Sequence, residues 1–276
     1  TIKGKVDLNF LMAADLGARF RPFKTHKASF VLESRFKNSA VDSELDQGFT
    51  SGAQVKSAYL LVDDLIYNSF VQTGLYRPLF GLYTPDHTTL SQDIAGLDQK
   101  STFRSIGFGA APNIPFFTFN YLMPTSNDSQ PGQSSAVALG NSDKGFVATV
   151  GGRWITYSAN IALSYWSTQA TLTNGDVINR NLMALTAGGM YQNFILNLEM
   201  LRADKEFAPG SKDVGTVYTA ESRYRLWREN YAVFNYAMGN TNRLLKEGSA
   251  NEMMLGFKSF PLSGMEFEGL YVMRNS

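Results

Sequence analysis

The sequence predicts an all-β protein, a transmembrane antiparallel up-and-down β-barrel of about fourteen strands. Three observations predict it. Apolar and polar residues alternate with a period of two, the connections between the alternating segments are sorted into short and long ones, and aromatic residues flank the short connections. We expect all of residues 1–276 to form one barrel domain.

Composition is compatible with this fold and excludes several others. The hydrophobic fraction is 44% and mean hydropathy is −0.17, because only half of each barrel strand has to be apolar. No segment approaches the roughly 18 apolar residues of a membrane-spanning helix. The chain has no cysteine, which excludes disulfides, cysteine-bound metal and covalent haem. A net charge of +1 gives no indication of nucleic-acid binding.

Alternation places the strands in chain order. In residues 156–166 Tyr157, Ile161 and Leu163 share one face, and Ser158, Asn160 and Ser164 share the other. The same test predicts strands near 4–14, 27–37, 53–62, 67–76, 102–111, 115–123, 145–154, 156–167, 180–191, 193–203, 214–227, 229–239, 250–259 and 263–274. A tilted strand needs about 9–11 residues to cross a bilayer, and most of the predicted strands are about this long.

The connections are expected to alternate strictly in length. Short ones lie near 22–26, 63–66, 112–114, 154–156, 191–193, 227–230 and 260–263, and long ones at 38–52, 77–101, 124–144, 168–179, 204–213 and 240–249. Outer-membrane barrels have short periplasmic turns and long external loops, whereas a soluble sandwich has no reason for such sorting. On this basis the expected location is the bacterial outer membrane. Both end strands would then have their free ends outside, so we expect either an unusual barrel or a complete wall of sixteen strands.

Two aromatic girdles are predicted, because aromatic rings prefer membrane interfaces. The periplasmic girdle would contain Tyr67, Phe70, Phe116, Phe117, Trp154, Tyr157, Tyr191, Phe194, Trp227, Tyr231 and Phe260. The second would contain Tyr76, Tyr121, Phe146, Tyr165, Tyr218, Tyr236 and Tyr271.

No catalytic or metal-binding pattern stands out. The two histidines are His26, in a predicted turn, and His87, in a long loop near Ser91. A nucleophile needs a fixed base and an orienting group, which this loop does not supply, so we expect no enzymatic activity and no cofactor. The pair Gly107 and Gly109 lies in a predicted strand, where glycines relieve crowding or allow a bend.

Charged residues at inward strand positions predict a wet lumen, because a charge facing lipid near the midplane costs several kcal/mol. The candidate pore-lining residues on the wall are Arg35, Lys56, Arg153, Glu221, Arg223, Arg225, Lys258, Glu266 and Glu268. Both signs are present, so the lining would give at most a mild preference for anions. About eight strands already enclose the space that side chains fill, so a fourteen-stranded lumen should be open or narrowed by a loop.

Residues 57–81 resemble the phosphate-selective porin family and related porins, in which a strand ending in glycine precedes a basic residue near Pro-Phe-Gly. The matching residues are Gly74, Arg77, Pro78, Phe80 and Gly81. The resemblance implies that 77–101 folds inward as a constriction loop, with Arg77 near the narrowest point. Asp86 and His87 of the same loop are the other candidate constriction residues.

The function expected from these features is passive diffusion of small hydrophilic solutes or ions through a porin. One alternative is a structural barrel that serves as scaffold or sheath for a lipoprotein or an electron-transfer cytochrome. Another is uptake of apolar compounds, which the polar lumen disfavours. The expected partners are outer-membrane lipid and lipopolysaccharide, the transported solutes, and either further copies in a homotrimer or a partner protein.

Overall fold

Fourteen β-strands form one sheet in the computed structural model, which describes residues 13–22, 27–37, 52–82, 89–97, 102–124, 143–171, 177–207, 210–243, 246–262 and 265–275. The strands are β1 (Ala13–Phe20), β2 (Ala28–Lys37), β3 (Gly52–Val62), β4 (Ser69–Tyr76), β5 (Phe103–Ala110), β6 (Pro115–Met123), β7 (Lys144–Trp154), β8 (Ala159–Thr171), β9 (Val177–Tyr191), β10 (Phe194–Phe207), β11 (Ser211–Trp227), β12 (Asn230–Arg243), β13 (Lys246–Leu262) and β14 (Met265–Asn275). A short helix, α1 (Leu90–Ala95), lies between β4 and β5.

The strand order follows the chain order, and each strand is antiparallel to the next, as expected for an up-and-down barrel wall. The sheet curves strongly. The connection from β4 to β5 contacts Thr149 on β7 through the carbonyl of Leu79, and Glu252 on β13 through the amide of Leu90. The described residues of this connection, 77–82 and 89–97, therefore lie inside the curve of the sheet. None of the helices in the described ranges is long and apolar enough to span a bilayer.

The two faces of the sheet differ in character, as the alternation predicted. On β5, buried Phe103, Ser105 and Gly107 alternate with exposed Ile106 and Phe108. Exposed apolar side chains continue around the outer face, including Leu163, Leu185, Leu198, Phe234 and Leu255. The outer face is therefore apolar without being covered by protein, which is how a lipid-facing barrel surface is built.

The prediction of fourteen strands is confirmed, but several boundaries were wrong. The described part of β1 is Ala13–Phe20, and most of the strand predicted at 4–14 falls on residues 1–12, which lie outside the described part. Strands β8 to β13 are longer than predicted, so the long connections expected at 168–179, 204–213 and 240–249 are mostly strand. In these extensions both faces carry polar residues, as in Asp204, Lys205 and Glu206, so strand pairing continues where the apolar alternation has ended.

The aromatic girdle at the short-turn end is confirmed in part. Tyr67, Tyr157, Tyr191 and Trp227 are exposed beside the short turns. Phe70, Phe116, Tyr231 and Phe260, however, occupy inward positions. Tyr76 was also assigned to a girdle, but it is buried and donates a 2.9 Å hydrogen bond to Asn120. Alternation assigns a residue to the inner or outer face only where it is known which residues of that strand point inward. These aromatic residues lie next to turns, where the sequence does not show this.

Candidate functional site

The candidate site is the inner face of the sheet together with residues 77–82 and 89–97, which we call the inserted segment. Phe80 packs edge-on against Trp166 of β8, with ring centroids 5.6 Å apart, and Phe103 meets the same indole at 5.0 Å. All three rings are buried. They belong to an apolar cluster that joins the segment to inward residues of β5 to β13, among them Leu122, Val147, Leu182, Leu201 and Val217.

Helix α1 in the inserted segment is short and depends on its surroundings. A reciprocal pair begins it: the Gln92 amide donates to the Thr89 hydroxyl, and the Thr89 amide donates to the Gln92 side chain, both at 3.3 Å. Its buried Ile94 lies over Gly215 and Gly239 of β11 and β12. A Cβ added at these glycines would lie 2.6 Å and 3.0 Å from Ile94 atoms. The two glycines therefore make the seat in which the helix packs.

Two buried glutamates of the wall bind the backbone of the inserted segment. Glu199 accepts a 2.6 Å hydrogen bond from the Leu82 amide, and Glu252 accepts a 3.2 Å bond from the Leu90 amide. The pairing register puts both glutamates in one row across β10 to β13. Arg274 of β14 donates to Glu252 at 2.8 Å and so balances its charge. Hydrogen bonds to a charged acceptor are stronger than neutral ones, so this row is an anchor line for the segment.

A second row of charges lies nearer the long-loop end. Nη1 of Arg180 on β9 donates to both carboxylate oxygens of Asp143, at 2.8 and 2.9 Å, and both side chains are almost completely buried. Lys205 and Asp213 are the next residues along this row and are also buried. The apolar cluster therefore lies between two rows of charged residues.

The half of the lumen near the short turns is more open and carries charges of both signs. Glu221 and Arg223 form a 2.9 Å ion pair on β11. Lys258 of β13 lies over the Phe260 ring at 5.6 Å. Arg225 is exposed two residues beyond Arg223, and the register places it in the same row as Lys258.

The predicted pore-lining residues fall into four groups. Glu221, Arg223, Arg225 and Lys258 come together on β11 to β13, whereas Arg153 is exposed at the end of β7, with its guanidinium 3.5 Å from the Ala111 carbonyl. Arg77 is half-buried directly after β4. Asp86 and His87, and the side chains of Arg35, Lys56, Glu266 and Glu268, lie outside the described part.

Sequence reasoning missed the anchoring role of Glu199 and Glu252 and the burial of Trp166. The sequence contained one indication that Trp166 is buried. Trp166, Leu182 and Val217 occupy inward positions of strands whose outward positions are also apolar. An apolar inward residue in a wet lumen indicates that something covers it. Gly107 does relieve crowding, because a Cβ there would lie 2.1 Å from Asn120.

Comparison with known proteins shows similarity in structure. An anion-selective porin from Comamonas acidovorans matches with a TM-score of 0.70 and 12% identity, over 94% of this chain and 77% of that one. The outer-membrane channel DcaP of Acinetobacter baumannii matches at 0.66 and 12%, over 94% and 78%. OmpF of Salmonella typhi, in complex with daunomycin, matches at 0.62 and 12%, over 99% and 85%. No protein-family model and no curated protein sequence matches the chain. The shared feature is the outer-membrane β-barrel fold.

Proposed function

We propose that this chain is a porin of the bacterial outer membrane, a passive channel for small hydrophilic solutes or ions. The observation that carries the proposal is a sheet with an apolar outer face and a charged inner face that surrounds an inserted segment. The apolar face suits lipid and the charged face suits water. The structural neighbours include an anion-selective porin and OmpF, which supports the proposal of a channel.

The inserted segment belongs to the constriction loop proposed for 77–101. Its apolar side belongs to a cluster with β5 to β13, so solutes would pass along the inner faces of the other strands, β1 to β4 and β14. There the inward side chains of Arg19, Tyr59 and Gln72 are at least partly exposed. Arg77 precedes the buried residues Pro78 and Phe80, so its half-buried side chain stands where the segment leaves the wall.

Selectivity is proposed to be weak and towards anions. Arg153, Arg223, Arg225 and Lys258 supply positive charge in the open half, but Glu221 offsets Arg223 at 2.9 Å. Paired charges leave a small net field, so steric width would select more strongly than charge. The phosphate-selective porin resemblance rests on the residues from Gly74 to Gly81, and any preference for phosphate would be decided at Arg77.

Three further parts of the proposal concern context. The chain performs no catalysis, it contacts lipid and lipopolysaccharide through its outer face, and it assembles with further copies as a trimer. The inserted segment occupies space that a threaded partner would need, which favours a channel over a sheath.

Planar-bilayer recording of the purified full chain tests the proposal. Discrete conductance steps are expected, with a small reversal potential of anion-selective sign under a KCl gradient. A heat-modifiable shift in electrophoretic mobility would establish that the protein is folded. Folded protein that gives no conductance steps would refute the channel, and a stoichiometric co-purifying protein would then support the scaffold.

A further inference from the structure

A cavity of about 420 Å³ lies at the short-turn end of β3 and β4, away from the inserted segment. Its lining consists of Leu61, Asp63, Asp64, Asn68, Ser69, Phe70 and Gln72. Small-molecule sites typically measure about 300–1,000 Å³ and combine apolar surface with a few polar groups. The cavity is open, with Asp64 and Asn68 exposed at its rim, so it can cover one side of a small ring-shaped molecule and offers both apolar and polar groups.

Phe70 forms the apolar side of the cavity, and a glycine on the neighbouring strand determines its position. Phe70 pairs with Gly109 of β5. Two ring carbons lie 2.7 Å from the point that a Cβ of Gly109 would occupy. The ring therefore leans over β5 along the wall, and it remains half-exposed. A half-exposed ring held in this way is a preformed stacking surface.

The acidic groups in the lining are already paired with cations. Asp63 accepts hydrogen bonds from Arg19 and from Arg21, the latter at 3.3 Å, and Lys27 lies 3.3 Å from Asp64. Among the described residues both guanidinium contacts are to Oδ2 of Asp63, so Oδ1 is the oxygen that can accept a hydroxyl. Gln72 and Asn68 add amide donors and acceptors.

This chemistry discriminates between ligand classes. A free anion would meet Asp63 and Asp64 directly, because the cations that pair with them are not among the lining residues. A divalent cation would compete with Arg19 and Arg21 for Asp63, and the described residues contain no group of three metal-binding side chains. A purely apolar molecule would displace water from Oδ1 of Asp63 and from the Asn68 amide without replacing its hydrogen bonds. A polyhydroxylated ring satisfies both parts, because its C–H face stacks on Phe70 and its hydroxyls bind the polar rim.

We propose that the cavity beside Phe70 binds one ring of a neutral saccharide at the short-turn mouth of the lumen. This inference rests on the proposed channel in one respect: a saccharide passes the site only if the barrel conducts solutes. Binding of a saccharide to the cavity does not itself require conduction. It is distinct from the constriction, because none of its lining residues belongs to the inserted segment.

The test is binding of maltose to the detergent-solubilised full chain, measured by saturation-transfer NMR and titration calorimetry. We expect millimolar binding to the wild-type protein. Phe70→Leu should weaken it about threefold to tenfold, as loss of an aromatic contact does. Phe108→Leu, which changes an outward ring on β5, is the matched control and should bind maltose like the wild type.

Gly109→Ala gives a second check, because it changes no cavity-lining residue. Its Cβ would displace the Phe70 ring and would also press on the Phe117 carbonyl oxygen, 2.8 Å away, so folding of this variant is verified first. It should weaken maltose binding in the same direction as Phe70→Leu, and a heat-modifiability gel shows whether each variant is folded. Equal binding by folded wild type and folded Phe70→Leu overturns the proposal. So does stronger binding of sodium phosphate or calcium chloride that maltose does not displace.

Conductance recorded on the same preparations separates this inference from the proposed function. A channel that conducts but does not bind maltose refutes only the saccharide site. Maltose binding by a folded barrel that does not conduct refutes the channel and supports the site.

Discussion

Replacing Ile94 by alanine should release the inserted segment from the wall. Ile94 is 5% exposed and fills the seat formed by Gly215 and Gly239. Truncating a buried isoleucine to alanine costs about 2–5 kcal/mol, and the strand backbone on either side of this seat can close little of the gap. We expect about 2–4 kcal/mol. Because the strands keep their own hydrogen bonds, this cost falls on docking of the segment rather than on the barrel.

The corresponding change in the docking equilibrium is about 30- to 700-fold. In planar bilayers this change should appear as greater open-channel noise and longer visits to a higher conductance. Limited proteolysis should cut within the segment faster than in the wild-type protein. Met238→Ala is the matched control, since Met238 precedes Gly239 on β12 but faces outward, so it removes similar volume without touching the segment.

Unchanged noise, conductance and protease resistance in folded Ile94→Ala would refute this reasoning. That result would mean that the anchors at Glu199 and Glu252 hold the segment without the apolar seat. If Met238→Ala produced the same noise as Ile94→Ala, the effect would come from the wall and not from the segment.

Three other predictions follow from single contacts. Arg19→Gln should raise the pKa of Asp63. Partial burial acts to raise that pKa, but the hydrogen bond and charge of Arg19, with the charge of Arg21, hold it below its ordinary value. The contribution of Asp63 to stability is thus present above its unfolded-state pKa, near 4, and is lost as pH falls through its lower folded-state pKa. A carboxyl NMR titration of the wild type and of Arg19→Gln checks the change in the Asp63 pKa. Gly74→Ala should lower the temperature of the heat-modifiability shift, because φ is +138° and a Cβ would lie 2.4 Å from a β3 carbonyl oxygen. Leu185→Arg, on the outer face, should lower the stability of the folded barrel in lipid vesicles by about 2–4 kcal/mol in a denaturant titration; no change would contradict a lipid-facing position near the midplane.

The wall could be predicted from sequence because its constraint is local. A strand with lipid on one side and water on the other has to alternate, and Leu163 against Ser164 shows this within one dipeptide. Where both sides are polar, alternation carries no information, so the extension of β10 to Phe207 and of β13 from Lys246 was missed. There the strands are held by pairing with their neighbours, which no single segment reveals.

The site was harder to predict because its contacts join residues far apart in the chain. Leu82 meets Glu199 and Leu90 meets Glu252, separations of 117 and 162 residues. Alternation along β10 can place Glu199 on the inner face, but it does not reveal the residue that Glu199 binds. The porin resemblance implied an inward loop at 77–101, but its attachment to a particular part of the wall depends on Trp166 and on two glycines whose role is visible only in three dimensions.

The inner wall has to hold the inserted segment on apolar surface and also keep its charged residues in water. These two kinds of surface lie at different heights along the barrel axis. A segment held inside a lumen needs apolar surface to pack on, but apolar surface open to water would be costly and would invite collapse. The sequence places Trp166, Leu201 and Val217 together where the segment covers them. The exposed charges such as Arg225 lie towards the short turns, where water keeps them solvated. The glutamates at the boundary, Glu199 and Glu252, then serve both sides: each binds the segment's backbone where the covered region begins, so the segment can cover the apolar patch without closing the wet half.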